Sequence, residues 1–140
     1  MTIVYVLNTN NQVSISNIDK AWAILVSYMG SYATSFEIVN SQRSIQSDLE
    51  RFGTVTQQGG FLRPSVICGP VTPEFLRFLI EEQLRERLDW FKLYKDNDVI
   101  LEHYDCGGDV FAHLSEEQFK SLSTNLKAQS LDPNIMGLRT

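Results

Sequence analysis

The chain has 140 residues, 43% of them hydrophobic and 11% aromatic, with a net charge of −5. That length suits one domain with a core of its own, and the composition is that of a folded chain rather than a disordered one. The acidic balance, with no run of Lys or Arg, excludes sequence-independent nucleic-acid binding, which needs a basic surface to displace counterions.

The first residues, Met1-Thr2-Ile3-Val4-Tyr5-Val6, lack the basic start and small-residue cleavage site of a signal peptide. The longest apolar run, Ala21 to Val26, falls far short of the ~20 residues that span a bilayer. Two cysteines, Cys68 and Cys106, are too few for a disulfide framework. The expectation is a cytoplasmic protein with reduced thiols, no membrane association and no cofactor. Monomer and homo-oligomer both fit the sequence.

Ile3 to Leu7, β-branched and aromatic, predicts a strand, and Asn8-Thr9-Asn10-Asn11 a turn. Residues 12 to 16 alternate in polarity and could form a return strand. Ser16 or Asn17 can cap a helix running to Met29, stopped by Gly30, with Ile18, Trp22, Leu25, Val26 and Met29 on its apolar face. Ser35 to Val39 predicts another strand, followed by a helix from Gln42 to Phe52 with a narrow stripe of Ile45, Leu49 and Phe52. Thr54 to Gly60 reads as a loop, and Phe61 to Cys68 as a strand that Pro64 places at an edge or a start.

Thr72-Pro73-Glu74 is a helix start with cap, proline and acid in order. The helix is expected to reach Leu88 or even Tyr94, burying Leu76, Leu79, Ile80, Leu84, Leu88 and Phe91. Val99 to Tyr104 and Val110 to Leu114 flank Asp105-Cys106-Gly107-Gly108 as a hairpin. Ser115-Glu116-Glu117-Gln118 is a capping box for a last helix to Ala128. These elements predict an α+β fold over residues 1–128, with a mixed or antiparallel sheet of five or six strands and four helices. Residues 129–140 have no period and read as a loosely held tail.

Chemistry concentrates in residues 96 to 117. Seven carboxylates lie there (Asp96, Asp98, Glu102, Asp105, Asp109, Glu116 and Glu117), with no Lys or Arg, and with His103, His113 and Cys106. Glu116 and Glu117 are explained by a helix dipole, and Asp96 and Asp98 by a turn. A four-residue loop would pair Tyr104 with Asp109 and His103 with Val110, placing His103 and His113 on opposite sheet faces. That parity, and a spacing unlike any zinc pattern, argue against a metal site. Asp96-Asn97-Asp98 starts like a calcium loop but has Ile100 and Leu101 where an oxygen ligand and Gly are needed.

Two functional readings follow. The first is a non-enzymatic binding module of inhibitor, immunity or antitoxin type. It would present Glu102, Tyr104, Asp105 and Asp109 to a basic protein partner. The alternative is a small cysteine-dependent enzyme or ligand-binding domain, with Cys68 as nucleophile and His103 or His113 as base. Cys106, between Asp105 and Asp109, sits in the wrong field for a nucleophile.

Overall fold

A computed structural model describes residues 2–139. Period-two runs pair into one antiparallel sheet whose strand order is β3-β4-β2-β5-β6-β7-β1-β8. Its strands are β1 (Ile3–Leu7), β2 (Ser35–Asn40), β3 (Thr54–Gln57), β4 (Ser65–Pro70), β5 (Trp90–Lys95), β6 (Asp98–Tyr104), β7 (Asp109–Leu114) and β8 (Met136–Leu138). The four helices are α1 (Ile15–Gly30), α2 (Arg43–Glu50), α3 (Pro73–Glu81) and α4 (Glu116–Ala128). The class is α+β, but the expected five or six strands become eight.

Four local differences account for that count. Residues 12 to 16 form no return strand: Ser14 caps α1 by accepting the Asn17 N–H at 3.2 Å. Thr54–Gln57, read as a loop, pairs with β4 as an edge strand. The third helix ends at Glu81, because Gln83 takes a positive φ of 51° and turns the chain. Trp90–Lys95 then pairs between β2 and β6 instead of continuing the helix. Finally, residues 130–139, within the stretch expected to be a tail, carry an eighth strand. β8 pairs with β1, and Leu131, Ile135 and Met136 are buried.

Alternation along the strands sorts side chains onto two unlike faces. Tyr5, Leu7, Phe36, Ile38, Ile67, Phe91, Leu93, Leu101, Val110, Ala112 and Leu114 point inward. They meet Trp22, Leu25, Val26 and Met29 of α1, Phe75 and Leu79 of α3, and Leu122 and Leu126 of α4 in one core. Phe36 stacks on Phe75 with centroids 3.9 Å apart, and Tyr5 on Phe119 at 4.0 Å. The opposite face carries Glu37, Lys92, Tyr94, Glu102, Tyr104, Phe111 and His113, all half-buried, with no helix laid across it.

One buried cation ties the helical layer to the β6–β7 loop. Arg85 is 5% exposed and donates from Nε to Asp19 Oδ1 at 2.6 Å, from Nη1 to the Gly107 carbonyl at 2.9 Å, and from Nη2 to Glu86 Oε1 at 3.0 Å. Gly107 has φ +80°, and a Cβ there would stand 2.5 Å from Arg85 Cγ. The loop therefore needs a glycine for its conformation and for the approach of Arg85.

Candidate functional site

The β6–β7 hairpin has the register of a four-residue loop: Tyr104 pairs with Asp109 and His103 with Val110. The two histidines therefore lie on opposite faces. His103 is fully buried, accepts the Trp22 indole N–H at Nδ1 (3.0 Å), and faces the Leu88 carbonyl with Nε2 (3.0 Å). Indole nitrogen can only donate, so Nδ1 is the acceptor and the proton sits on Nε2, donated to Leu88. Burial disfavours the imidazolium and pushes its pKa down to about 4, helped by the charge of Arg85. His103 is a neutral core residue with both nitrogens engaged.

His113 lies on the uncovered face and meets Glu102, Nε2 to Oε2 at 2.8 Å. The Tyr104 hydroxyl donates to the other carboxylate oxygen, Oε1, at 2.5 Å. Burial alone would raise the Glu102 pKa. Hydrogen bonds from Tyr104 and His113, with the electrostatic pull of His113 and Lys92, outweigh it and hold the carboxyl below its ordinary value. The same contact works oppositely on the phenol. Burial first, then the bond to Glu102 and its charge, push Tyr104 up to about 12. Both Glu102 carboxylate oxygens are thus engaged in a small network with Tyr104 and His113.

Sheet register measures the distance from this network to Cys68. Cys68 pairs with Glu37, Glu37 with Lys92, Lys92 with Glu102, and Glu102 with Phe111. At ~4.8 Å per strand, Cys68 lies roughly 14 Å from Glu102 and roughly 19 Å from the β7 strand that carries His113. His103 is on the other face altogether. Burial pushes the Cys68 thiol up; a hydrogen bond with Thr56 opposes this, and the charge and hydrogen bond of Glu37 add to the rise. The structure does not bring Cys68 together with either histidine. No family model, curated protein or solved structure matches the chain.

The uncovered face has an aromatic row, of which Trp90 was expected on an extension of the third helix and Tyr104 and Phe111 on the hairpin strands. Trp90 is 44% exposed and pairs with Val39, and its ring meets Tyr104 edge-on with centroids 4.9 Å apart. Lys92 Nζ stands 5.0 Å from the Trp90 centroid and 5.6 Å from that of Tyr104, a cation–π bracket. Phe111 continues the row 6.2 Å from Tyr104, with Arg139 Cζ 4.7 Å over its ring. The signal for this row was the alternation of Trp90, Lys92 and Tyr94 against Phe91 and Leu93.

Beyond Tyr104 the hairpin tip is acidic. Asp105 (φ 53°) and Asp109 are exposed, and Asp89 is half-buried beside them. The exposed Cys106 reports their field: after burial, its thiol is pushed up by a hydrogen bond to Asp89 Oδ1 at 3.6 Å and by the charges of Asp89, Asp105 and Glu86. Among the described residues, no group of three or more His, Cys, Asp and Glu is arranged to hold a metal, and no helix is long and apolar enough to cross a membrane.

Proposed function

We propose that this protein is a non-enzymatic binding module, of inhibitor, immunity or antitoxin type, that docks the β6–β7 end of its uncovered sheet face onto a basic protein partner. The observation that carries this reading is the pairing of an exposed anchor with unpaired acids. Trp90 is 44% exposed, is braced by Tyr104 and Lys92, and stands at one end of a row that leads through Tyr104 to Asp109. Tryptophan is among the residues enriched at interface hot spots, and rim carboxylates steer a cationic partner and set its orientation. Asp105 and Asp109 form no ion pair among the described residues, so their field is available to a partner. Tyr104 contributes area, while Glu102 holds Tyr104 in place.

The test is a ¹⁵N NMR titration with a lysine-rich peptide. Expected are shifts in residues 89–91 and 104–110 that fade as salt shortens the Debye length to ~10 Å or below. Asp109→Lys and Trp90→Ala should each weaken binding without changing the rest of the spectrum. Shifts centred on Asp96 and Asp98, or no change on either substitution, would count against the proposal.

A further inference from the structure

We infer that a second site, on the helix-bearing side of the sheet, binds a phosphate group. A cavity of about 270 Å³ opens where the ends of β2 and β4 meet the start of α2 and the β3–β4 loop. Its lining includes Asn40, Arg43, Gln46, Gly59, Arg63 and Ser65, and it contains no Asp or Glu, in a chain of net charge −5. At ~30 Å³ per water molecule there is room for an oxyanion with part of its hydration shell, but not for a drug-sized ligand.

The lining offers several uncommitted donors, beside the Gln42 and Gln58 amides and the Ser41 hydroxyl, which can also accept. Helix α2 begins at Arg43, and its cap residue, Gln42, makes no side-chain cap bond. The Gln42 N–H goes to Asn40 Oδ1 at 2.9 Å and the Ser41 N–H to Asp89 Oδ2 at 2.9 Å. The N–H groups of Arg43 and Ser44, in the first turn, have no acceptor within the helix. Arg43 and Arg63 form no ion pair among the described residues.

Two further side chains at the cavity have polar atoms with no hydrogen-bond partner among the described residues. Ser65 is 7% exposed, lines the cavity, and has no hydrogen-bond partner for its hydroxyl among the described residues. Gln46 Nε2 is buried with no partner. Its orientation is fixed by a relay. Asn40 Oδ1 accepts from Gln42, so Asn40 Nδ2 must donate, to the Gln42 carbonyl at 2.9 Å and to Gln46 Oε1 at 2.8 Å. Turning the Gln46 amide over would set NH₂ against NH₂. The unsatisfied atom is therefore a donor, and an unmade buried bond is costly. Gly59 keeps the hydroxyl open, since a Cβ there would meet Ser65 Oγ at 2.6 Å. The start of α2, Ser65 of β4 and Arg63 of the β3–β4 loop line the cavity from three separate elements, which suits the tetrahedral oxygens of phosphate better than a planar carboxylate.

The source of the phosphate is framed by the adjoining turn. Gly60 and Arg63 close it by mutual backbone bonds of 2.9 and 3.1 Å, and Phe61 and Leu62 between them are 91% and 90% exposed. A lipid headgroup would bring an apolar surface for this tip, whereas a soluble phosphorylated compound would not need it.

The experiment is a ¹⁵N NMR titration with inorganic phosphate, read at the Arg43 and Ser44 amides and the Gln46 side-chain NH₂. Saturable shifts are expected, with affinity reduced at least tenfold in Arg63→Gln and in Gln46→Glu, the latter placing a carboxylate where Nε2 now points. Absence of saturable shifts, or equal affinity in both variants, overturns the site. A sedimentation arm with phosphatidylglycerol and phosphatidylcholine vesicles separates the sources. Selective pelleting with the anionic vesicles, lost in a Phe61→Ser, Leu62→Ser variant, assigns a headgroup. No pelleting alongside intact phosphate binding assigns a soluble ligand. Pelleting without phosphate shifts in the cradle overturns the proposal.

Discussion

Acid should loosen this fold through His103 before its carboxylates titrate. In the unfolded chain the imidazole protonates near its ordinary 6.5, and in the folded chain only near about 4. Between those values the unfolded state binds more protons, so the stabilisation is complete above pH 6.5 and is lost as pH falls toward 4. The interval is worth about 3 kcal/mol in full, of which about 2 kcal/mol disappears between pH 7 and pH 5. That is a large part of the ~5–15 kcal/mol by which a domain is stable. Urea unfolding at pH 7, 6 and 5 measures it. His103→Gln supplies the control, since a carboxamide can accept from Trp22 and donate to Leu88 but cannot titrate. The variant should start less stable at pH 7, because it fills less of the core, and should lose about 2 kcal/mol less on acidification than the parent. Equal losses in the two proteins, or an NMR titration of His103 centred near 6.5, would refute the buried neutral tautomer.

Three further outcomes follow from named contacts. Tyr104 should ionise near pH 12, and Glu102→Gln should bring its pKa down toward 10, read by ultraviolet titration at the tyrosinate band; no movement would deny the Glu102 contact. Gly107→Ala, at φ +80° against Arg85, should cost at least about 1–3 kcal/mol in urea unfolding; a neutral result would show that the loop and Arg85 move aside freely. Iodoacetamide should alkylate Cys68 and Cys106 only as pH passes the ordinary thiol range, because burial and neighbouring carboxylates raise both. A pH-independent fast reaction of Cys68 at neutrality would restore the cysteine-enzyme reading.

What could be read from the chain was what local chemistry decides. Thr72 and Ser115 cap α3 and α4 because a hydroxyl followed by Pro73 or by Gln118 satisfies first-turn N–H groups with nothing else required. The parity of the β6–β7 hairpin was readable because its loop length fixes which side chains share a face. Strand β5 was not, because Leu84, Leu88 and Phe91 also fit a helical stripe that continues Leu76 and Ile80. The break at Gln83 uses a positive φ without Gly or Asn, so it leaves no trace in composition. Edge strand β3 pairs with the next strand through a shifted register that its polar sequence does not signal, while edge strand β8 owes its existence to β1, at the other end of the chain. The same holds for the phosphate cradle: Arg43 and Arg63 are twenty positions apart in sequence and meet only once β2 and β4 pair.

The acidic segment changes meaning once its strands are paired. Glu102 is neighboured by Lys92 on one strand and bonded to His113 from another, so the middle of the uncovered face is close to internally neutral. Its hydrogen bonds are made, and a partner binding there would have to break them. At the hairpin tip Asp105 and Asp109 are exposed and form no ion pair among the described residues, next to Trp90, the aromatic of that face that stays substantially exposed. A contact centred on the tip would desolvate an indole and leave the Glu102 network intact, whereas one centred on Glu102 would sacrifice it. On the proposed binding reading, the contact belongs at the end of the sheet, with Asp109 and Trp90 rather than Glu102 as the residues whose loss a partner would feel most.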